Sequence, residues 1–155
     1  MMKIKSFEVD HTRLRPGVYL SRTDGEEGNE ISTFDVRLTI PNREPPVDMP
    51  ALHTIEHLGA TYLRNSDIKD DVVYFGPMGC RTGCYMLLRG KRTAEEAARI
   101  TEEMCDFILG FGGDIPGATE KECGNWREHN LKEAKYYISR FLRLLKTERN
   151  LKYPD

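Results

Sequence analysis

Two imidazoles and a carboxylate fall at helical spacing in His53-Thr54-Ile55-Glu56-His57. Each residue of an α-helix turns about 100°, so His53 and His57 stand nearly above one another and can point their ring nitrogens at one ion, with Glu56 on the same quadrant. In an H-x-x-E-H order the two histidines bind metal and the glutamate acts on protons. The same spacing also suits an exposed or capped histidine pair on an amphipathic helix, and these five residues leave both open. A metal on two histidines needs at least one further donor, and imidazole, thiolate or carboxylate would serve a zinc-like or ferrous ion. Cys123, in Glu122-Cys123-Gly124 at the junction before the last helix, is the candidate, because a helix N-terminus there would favour the thiolate and glycine lets the backbone approach closely. Three protein ligands leave one position open, which distinguishes catalytic from structural sites. The alternative for Cys123 is a small buried hydrophobe.

A second reactive group is Cys80. The turn Gly79-Cys80-Arg81-Thr82-Gly83 exposes its side chain and places the Arg81 cation beside it, an environment that lowers a thiol pKa and suits proton transfer or nucleophilic attack. Cys84, within a strand, and Cys105, at the margin of an apolar helix face, read as packing. His11 follows Asp10 in a segment without periodicity, which suits a site residue or a solvent-facing loop, and His129 falls on the polar part of the last helix, at the surface.

Several elements must carry these residues. Gly17 to Arg22 followed by the Gly-, Asp- and Asn-rich turn Thr23 to Asn29 points to a hairpin. In the next strand Phe34, Val36, Leu38 and Ile40 alternate with Asp35, Arg37 and Thr39, so Arg37 faces away from the apolar row. Asp48 as a capping side chain and Pro50 in the first turn begin a helix running to about Asn65, where Leu52, Ile55, Gly59 and Leu63 form the core stripe beside the histidine sector. Strands over 70–75 and 82–88 form a meander or hairpin around Cys80. Thr93-Ala94-Glu95-Glu96 is a capping box opening a core helix that ends at Gly112-Gly113. Leu131, Ala134, Ile138, Phe141, Leu142 and Leu145 mark a last amphipathic helix.

The chain has 155 residues, the length of one ordinary domain, so residues 1–155 are expected to form one. A formal net charge of −2 with 31% charged residues excludes a global field for nucleic acid, and the aromatic residues form no stripe for stacking bases. No apolar run reaches the roughly 18 residues of a membrane span and the N-terminus has no apolar signal region, so a cytoplasmic protein with free thiols is expected.

Taken together, Ser6-Phe7-Glu8-Val9-Asp10-His11, Phe34-Asp35-Val36-Arg37, His53-Thr54-Ile55-Glu56-His57-Leu58, Pro77-Met78-Gly79-Cys80-Arg81-Thr82-Gly83 and Glu122-Cys123-Gly124 resemble the LuxS family of S-ribosylhomocysteine lyases, in order and nearly end to end. The resemblance implies an α/β fold of α+β type, an antiparallel sheet packed by helices in a LuxS/metallohydrolase-like arrangement. It implies a homodimer with pockets at the interface, and one Fe2+ per subunit that Zn2+ or Co2+ can replace. By the same resemblance His53, His57 and Cys123 are metal ligands, Glu56 and Cys80 the two general acid/base groups, and Ser6, His11 and Arg37 contact or orient the substrate. The implied reaction moves the carbonyl of S-ribosylhomocysteine along the ribose and then eliminates homocysteine, leaving 4,5-dihydroxy-2,3-pentanedione, the autoinducer-2 precursor.

Two positions depart from the family pattern. Where members often carry Ile-Asp-Ile-Ser this chain has Val73-Tyr74-Phe75-Gly76, which removes an acidic side chain expected near the homocysteine end, and Cys84 stands where an aromatic residue is common. Two rival readings of the motifs are an inverzincin metallopeptidase, which expects a glutamate as third ligand, and a zinc-stabilised module in which Cys80 or Cys84 closes a four-ligand site.

Overall fold

The alternation of Phe34 and Val36 with Asp35 and Arg37 builds one of two inner strands of a four-stranded antiparallel sheet, with order β1-β2-β4-β3. In the computed structural model, which describes residues 2–154, the strands are β1 (Gly17–Asp24), β2 (Ile31–Arg37), β3 (Val72–Pro77) and β4 (Gly83–Arg89). The helices are α1 (Met49–Asn65), α2 (Ala94–Gly110) and α3 (Leu131–Glu148). Hairpins join β1 to β2 and β3 to β4, and a bulge shifts the β1 register between Leu20 and Arg22. Lys69–Asp71, where the third strand was expected to begin, is instead a short 3-10 turn.

One face of the sheet carries Val18, Phe34, Val36, Cys84, Met86, Leu88 and Phe75, and the three helices close over it to form a continuous apolar core. Ile55 and Leu58 of α1, Met104 and Ile108 of α2, and Ile138 and Phe141 of α3 are fully or almost fully buried in that core. Burial at this level is worth roughly 1.5–3 kcal/mol per large apolar side chain, and it fixes which face of α1 turns outward with the histidines. The predicted capping box forms in full, with Thr93 and Glu96 exchanging hydrogen bonds at the start of α2. Asp48 does occupy the N-cap of α1 with Pro50 behind it, but its side chain makes no capping bond. Tyr137 of α3 instead hydrogen-bonds the Asp48 backbone.

The second face of the sheet was expected to be polar, and it is polar yet buried. Thr33, Asp35 and Arg37 are each 2% exposed. The cover comes from the far end of the chain, where Tyr153 stacks on Tyr19 with centroids 4.8 Å apart and planes 8° from parallel. Asn150 anchors this segment along β1, accepting from the Val18 N–H at 3.1 Å and donating from Nδ2 to the Pro16 carbonyl at 3.0 Å. Arg149, in the left-handed region at φ 50°, ends α3 and pairs with Glu95 and Glu102 of α2. No helix among the described residues is long and apolar enough to cross a membrane.

Candidate metal and thiol site

Because Ile55 and Leu58 of α1 point into the core, His53, Glu56 and His57 are turned to its edge, half-buried. Their ring orientations are fixed from outside the helix. His53 Nδ1 lies 2.9 Å from the Glu128 carbonyl and His57 Nδ1 lies 2.7 Å from the Pro116 carbonyl. A carbonyl oxygen only accepts, so both Nδ1 atoms carry a proton, and in the neutral imidazoles both Nε2 atoms present a lone pair. This is the arrangement by which outer partners orient metal-ligating histidines. Cys123 Sγ sits 3.4 Å from His53 Nε2, and the ligand atoms of His53, His57 and Cys123 all lie within 4.8 Å of one another. Bonds of about 2.0–2.3 Å to a zinc-like ion separate neighbouring tetrahedral ligands by roughly 3.5 Å, so the group fits one ion.

Cys123 is not at a helix N-terminus, because α3 opens later, at its Asn130 N-cap. It is held in a turn by its own N–H donating to the Thr119 carbonyl at 3.0 Å, and the Asn125 N–H points at its sulfur at 3.5 Å. The chain between α2 and α3 has no regular element of its own, yet it supplies Cys123 and the carbonyls of Pro116 and Glu128 that orient both histidines.

His129 was expected at the surface of the last helix. It precedes that helix and packs into the imidazole cluster, stacked on His53 at 4.1 Å and edge-on to His57 at 4.7 Å. Thr54 Oγ1 donates to the Pro50 carbonyl and accepts from the Asn130 N–H, so at 3.2 Å it also accepts from His129 Nδ1. Burial, and then the nearby His53 and His57, push His129 down to about 4. No local pattern signals such a residue; the tertiary approach of the segment before α3 to α1 reveals it.

A second cavity, of about 440 Å³, adjoins the first. It is lined by Ser6, His11, Arg37, Cys80, Tyr85 and Pro77, together with Phe7, Met78 and Gly79. Pro77 also lines the cavity of about 220 Å³ that contains His53, Glu56, Asn125 and Glu128, so the two spaces share a wall. The structure thus brings Ser6, His11, Arg37 and Cys80 together on one side of Pro77, and places Glu56 with the imidazoles on the other. His11 Nδ1 donates to the Val9 carbonyl at 2.8 Å, which in the neutral imidazole puts the lone pair on Nε2.

The cation beside Cys80 is Arg37, not Arg81. Arg81 takes a left-handed backbone at φ 58° and its guanidinium turns toward the Val47 carbonyl at 3.5 Å. Arg37 Nη1 reaches Cys80 Sγ at 3.8 Å and donates to Thr82 Oγ1 at 2.6 Å. Arginine has no acceptor, so Thr82 accepts there and its single hydroxyl proton is available to the sulfur 3.2 Å away. Burial alone would raise the Cys80 thiol, but the Thr82 hydroxyl and N–H, followed by Arg37, outweigh it and hold the thiol below its ordinary value. The remaining guanidinium edge is bidentate to Asp35, Nε to Oδ1 at 3.0 Å and Nη2 to Oδ2 at 2.6 Å. The Asp35 charge offsets the burial of Arg37 and keeps the guanidinium above its usual range.

Cys84 is buried on the core face and burial pushes its thiol up, as it does for Cys105. Both pack, and neither Cys80 nor Cys84 joins the metal-type group among the described residues. At the departure from the family pattern, a side chain on Gly76 would collide with the Tyr74 hydroxyl, so the tyrosine has folded over the space that a larger residue would fill.

Residues 4–151 match the family described as S-Ribosylhomocysteinase (LuxS). The S-ribosylhomocysteine lyase of Borreliella burgdorferi (strain ZS7) is 48% identical over 157 residues, covering 99% of this chain and 100% of that protein. That of Porphyromonas gingivalis (strain ATCC BAA-308 / W83) is 48% identical over 159 residues, and that of Finegoldia magna is 45% identical over 157, each covering 100% of both chains.

Proposed function

Since the chain belongs to the S-ribosylhomocysteinase (LuxS) family, we propose that it is an S-ribosylhomocysteine lyase, a carbon–sulfur lyase that releases homocysteine and 4,5-dihydroxy-2,3-pentanedione. The observation that carries this reading is the pairing, across Pro77, of a three-donor metal cradle with an activated thiol. We read His53, His57 and Cys123 as the ligands of one Fe2+ per subunit, with Zn2+ or Co2+ able to replace it; the mixed imidazole and thiol donors suit all three. When bound, the ion supplies Lewis acidity to the sugar oxygens.

The proton traffic falls to Glu56 and Cys80. Moving the carbonyl from C1 to C2 removes a proton from C2 and returns one to C1, and the second migration repeats the exchange between C3 and C2. With the carbonyl at C3 the C4 proton becomes acidic; its loss expels the C5 thioether sulfur, which takes up a proton as homocysteine. The lowered Cys80 thiol suits the abstraction steps at neutral pH, and Glu56, on the other side of Pro77, suits delivery and removal at the opposite carbons. We read Ser6, His11 and Arg37 as the residues that contact or orient the substrate, a reading supported by their lining the Cys80 cavity together, with Arg37 also reaching Cys80. The donor set offers a thiol where the inverzincin reading needs a carboxylate.

A homodimer with interface pockets is part of this reading. Phe7, 70% exposed, lines the Cys80 cavity and Met49, 50% exposed, lines the His53 cavity, so apolar side chains rim both openings where a second copy would cover them. The reading tests directly: anaerobic, iron-loaded protein should release free thiol from S-ribosylhomocysteine, and no release from metal-replete protein would overturn it.

A further inference from the structure

Arg37 can serve Cys80 only if the rest of its guanidinium is held still, and the groups that hold it come from two places distant in sequence. Asp35 takes two of its nitrogens, and the Tyr153 hydroxyl, from the last residues described, donates to Asp35 Oδ2 at 3.0 Å. Tyr153 also has the Ser21 hydroxyl as a hydrogen-bond partner, beside the β1 bulge between Leu20 and Arg22. Its ring lies flat on Tyr19, which is the cross-strand partner of Asp35 and whose own hydroxyl donates to the Arg15 carbonyl at 2.8 Å. The Asn150 bonds to β1 bring the segment there. The chain is therefore Tyr153, Asp35, Arg37, Thr82, Cys80, each linked to the next by a hydrogen bond, running from the chain's end to the active thiol.

We propose that Tyr153 is a positioning residue for Cys80: its hydroxyl shares the charge of Asp35 and fixes that carboxylate, so that the Arg37 edge facing the sulfur keeps its place and its full cationic character. Two features separate this from plain packing. The Asp35–Arg37 pair has 3% side-chain exposure on each partner, so solvent cannot replace a lost hydrogen bond. The phenol also donates to Oδ2, the same oxygen that accepts from Arg37 Nη2, so it acts directly on the carboxylate edge that holds the guanidinium. Without it, more of the Asp35 negative charge is felt through Arg37 at the sulfur. Among the described residues, those lining a cavity with Cys80 that are charged, titratable or bonded to it are Arg37 with Asp35 behind it, Thr82, His11, Tyr85 and Glu44.

The inference rests on reading Cys80 as the proton-transferring thiol, and the test reads the thiol without turnover. Iodoacetamide labelling of Cys80, followed on its own peptide by mass spectrometry across pH, is compared in wild type, Tyr153→Phe and Tyr19→Phe metal-loaded protein. One hydrogen bond of net 0.5–1.5 kcal/mol corresponds to about 2- to 10-fold, so Tyr153→Phe should label that much more slowly at neutral pH, with its midpoint moved to higher pH. Its kcat should fall by a similar factor with KM little changed. Tyr19→Phe keeps the stacked ring and loses a hydroxyl bond made to the Arg15 carbonyl and not to Asp35, so its labelling and kcat should match wild type. Equal labelling in Tyr153→Phe and wild type, or equal slowing in both variants at matched melting temperature, overturns the proposal. Absence of thiol release from the wild type would sink the lyase reading while leaving the labelling comparison to decide this one.

Discussion

Replacing Arg37 with Gln separates the electrostatic part of the site from its packing. The substitution removes one member of an ion pair that has 3% side-chain exposure on both sides, leaving Asp35 with the Tyr153 hydroxyl as its remaining strong donor. Breaking a buried pair from one side typically costs about 3–5 kcal/mol, because an uncompensated charge stays in a low-dielectric setting. Against a total stability of roughly 5–15 kcal/mol this is a large fraction, and for a chain of this size it corresponds to a fall in melting temperature of about 6–20 °C. Replacing both partners, Asp35→Asn with Arg37→Gln, removes both charges and leaves two amides that can pair, so most of the loss should return; the double variant is expected within roughly 1–2 kcal/mol of wild type. Urea unfolding of the three metal-loaded proteins gives the comparison. The thiol should respond differently from the stability. Both variants lose the cation beside Cys80, so both should label more slowly with iodoacetamide at neutral pH even where stability recovers. A double variant as unstable as Arg37→Gln alone would refute the charge argument, and unchanged labelling would refute the role assigned to Arg37.

Other consequences follow from the cradle. Cys123→Ala should lose bound metal, because two imidazoles alone make a weak site, and metal analysis of the purified protein reads this directly. Gly117→Ala should weaken metal binding by about 10- to 100-fold, because Gly117 sits at φ +72° and its added Cβ would lie 3.3 Å from His57 Nδ1, disturbing the Pro116 carbonyl that orients that ring. Metal competition with a chromophoric chelator measures the change. In metal-free protein His129 gives a pH dependence of stability. Its folded value near 4 lies below the unfolded 6.5, so the unfolded chain binds the proton first, and stability present above pH 6.5 is lost as pH falls toward 4. The loss amounts to at most about 3 kcal/mol, and His129→Asn should flatten that part of the curve in urea titrations.

How much of this could be read from the residues depends on whether the signal was local. The α1 histidine pair, the β2 alternation and the Thr93–Glu96 capping box are short-range patterns and each appears in the structure, although β2 runs from Ile31 and stops at Arg37 where the alternation ran on to Ile40. Four features turn on long-range contact and were hidden. The polar face of β2 is buried with the help of the returning chain end, whose Tyr153 reaches Asp35, which no pattern within 31–37 encodes. Arg81 stood next to Cys80 in sequence, but the cation that reaches the sulfur comes from the neighbouring strand, where Arg37 pairs across from Gly83. His129 looked like a polar helix residue, since nothing local shows that the segment before α3 folds back on α1. Cys123 was legible as a residue type beside glycine, while the turn that holds it comes from an irregular segment with no periodicity to read.

We read the site as a division of labour, with His53, His57 and Cys123 holding the ion and Cys80 moving protons. It is tested most directly by one preparation, Cys80→Ala purified anaerobically, assayed for bound metal and for thiol release from S-ribosylhomocysteine on the same sample. Loss of a general acid/base group costs about 10²- to 10⁴-fold, so one ion per subunit should be retained and thiol release reduced by that range. A metal-free Cys80→Ala would make Cys80 a ligand, and a metal-replete variant turning over at the wild-type rate would leave the thiol without a role; either result contradicts the account.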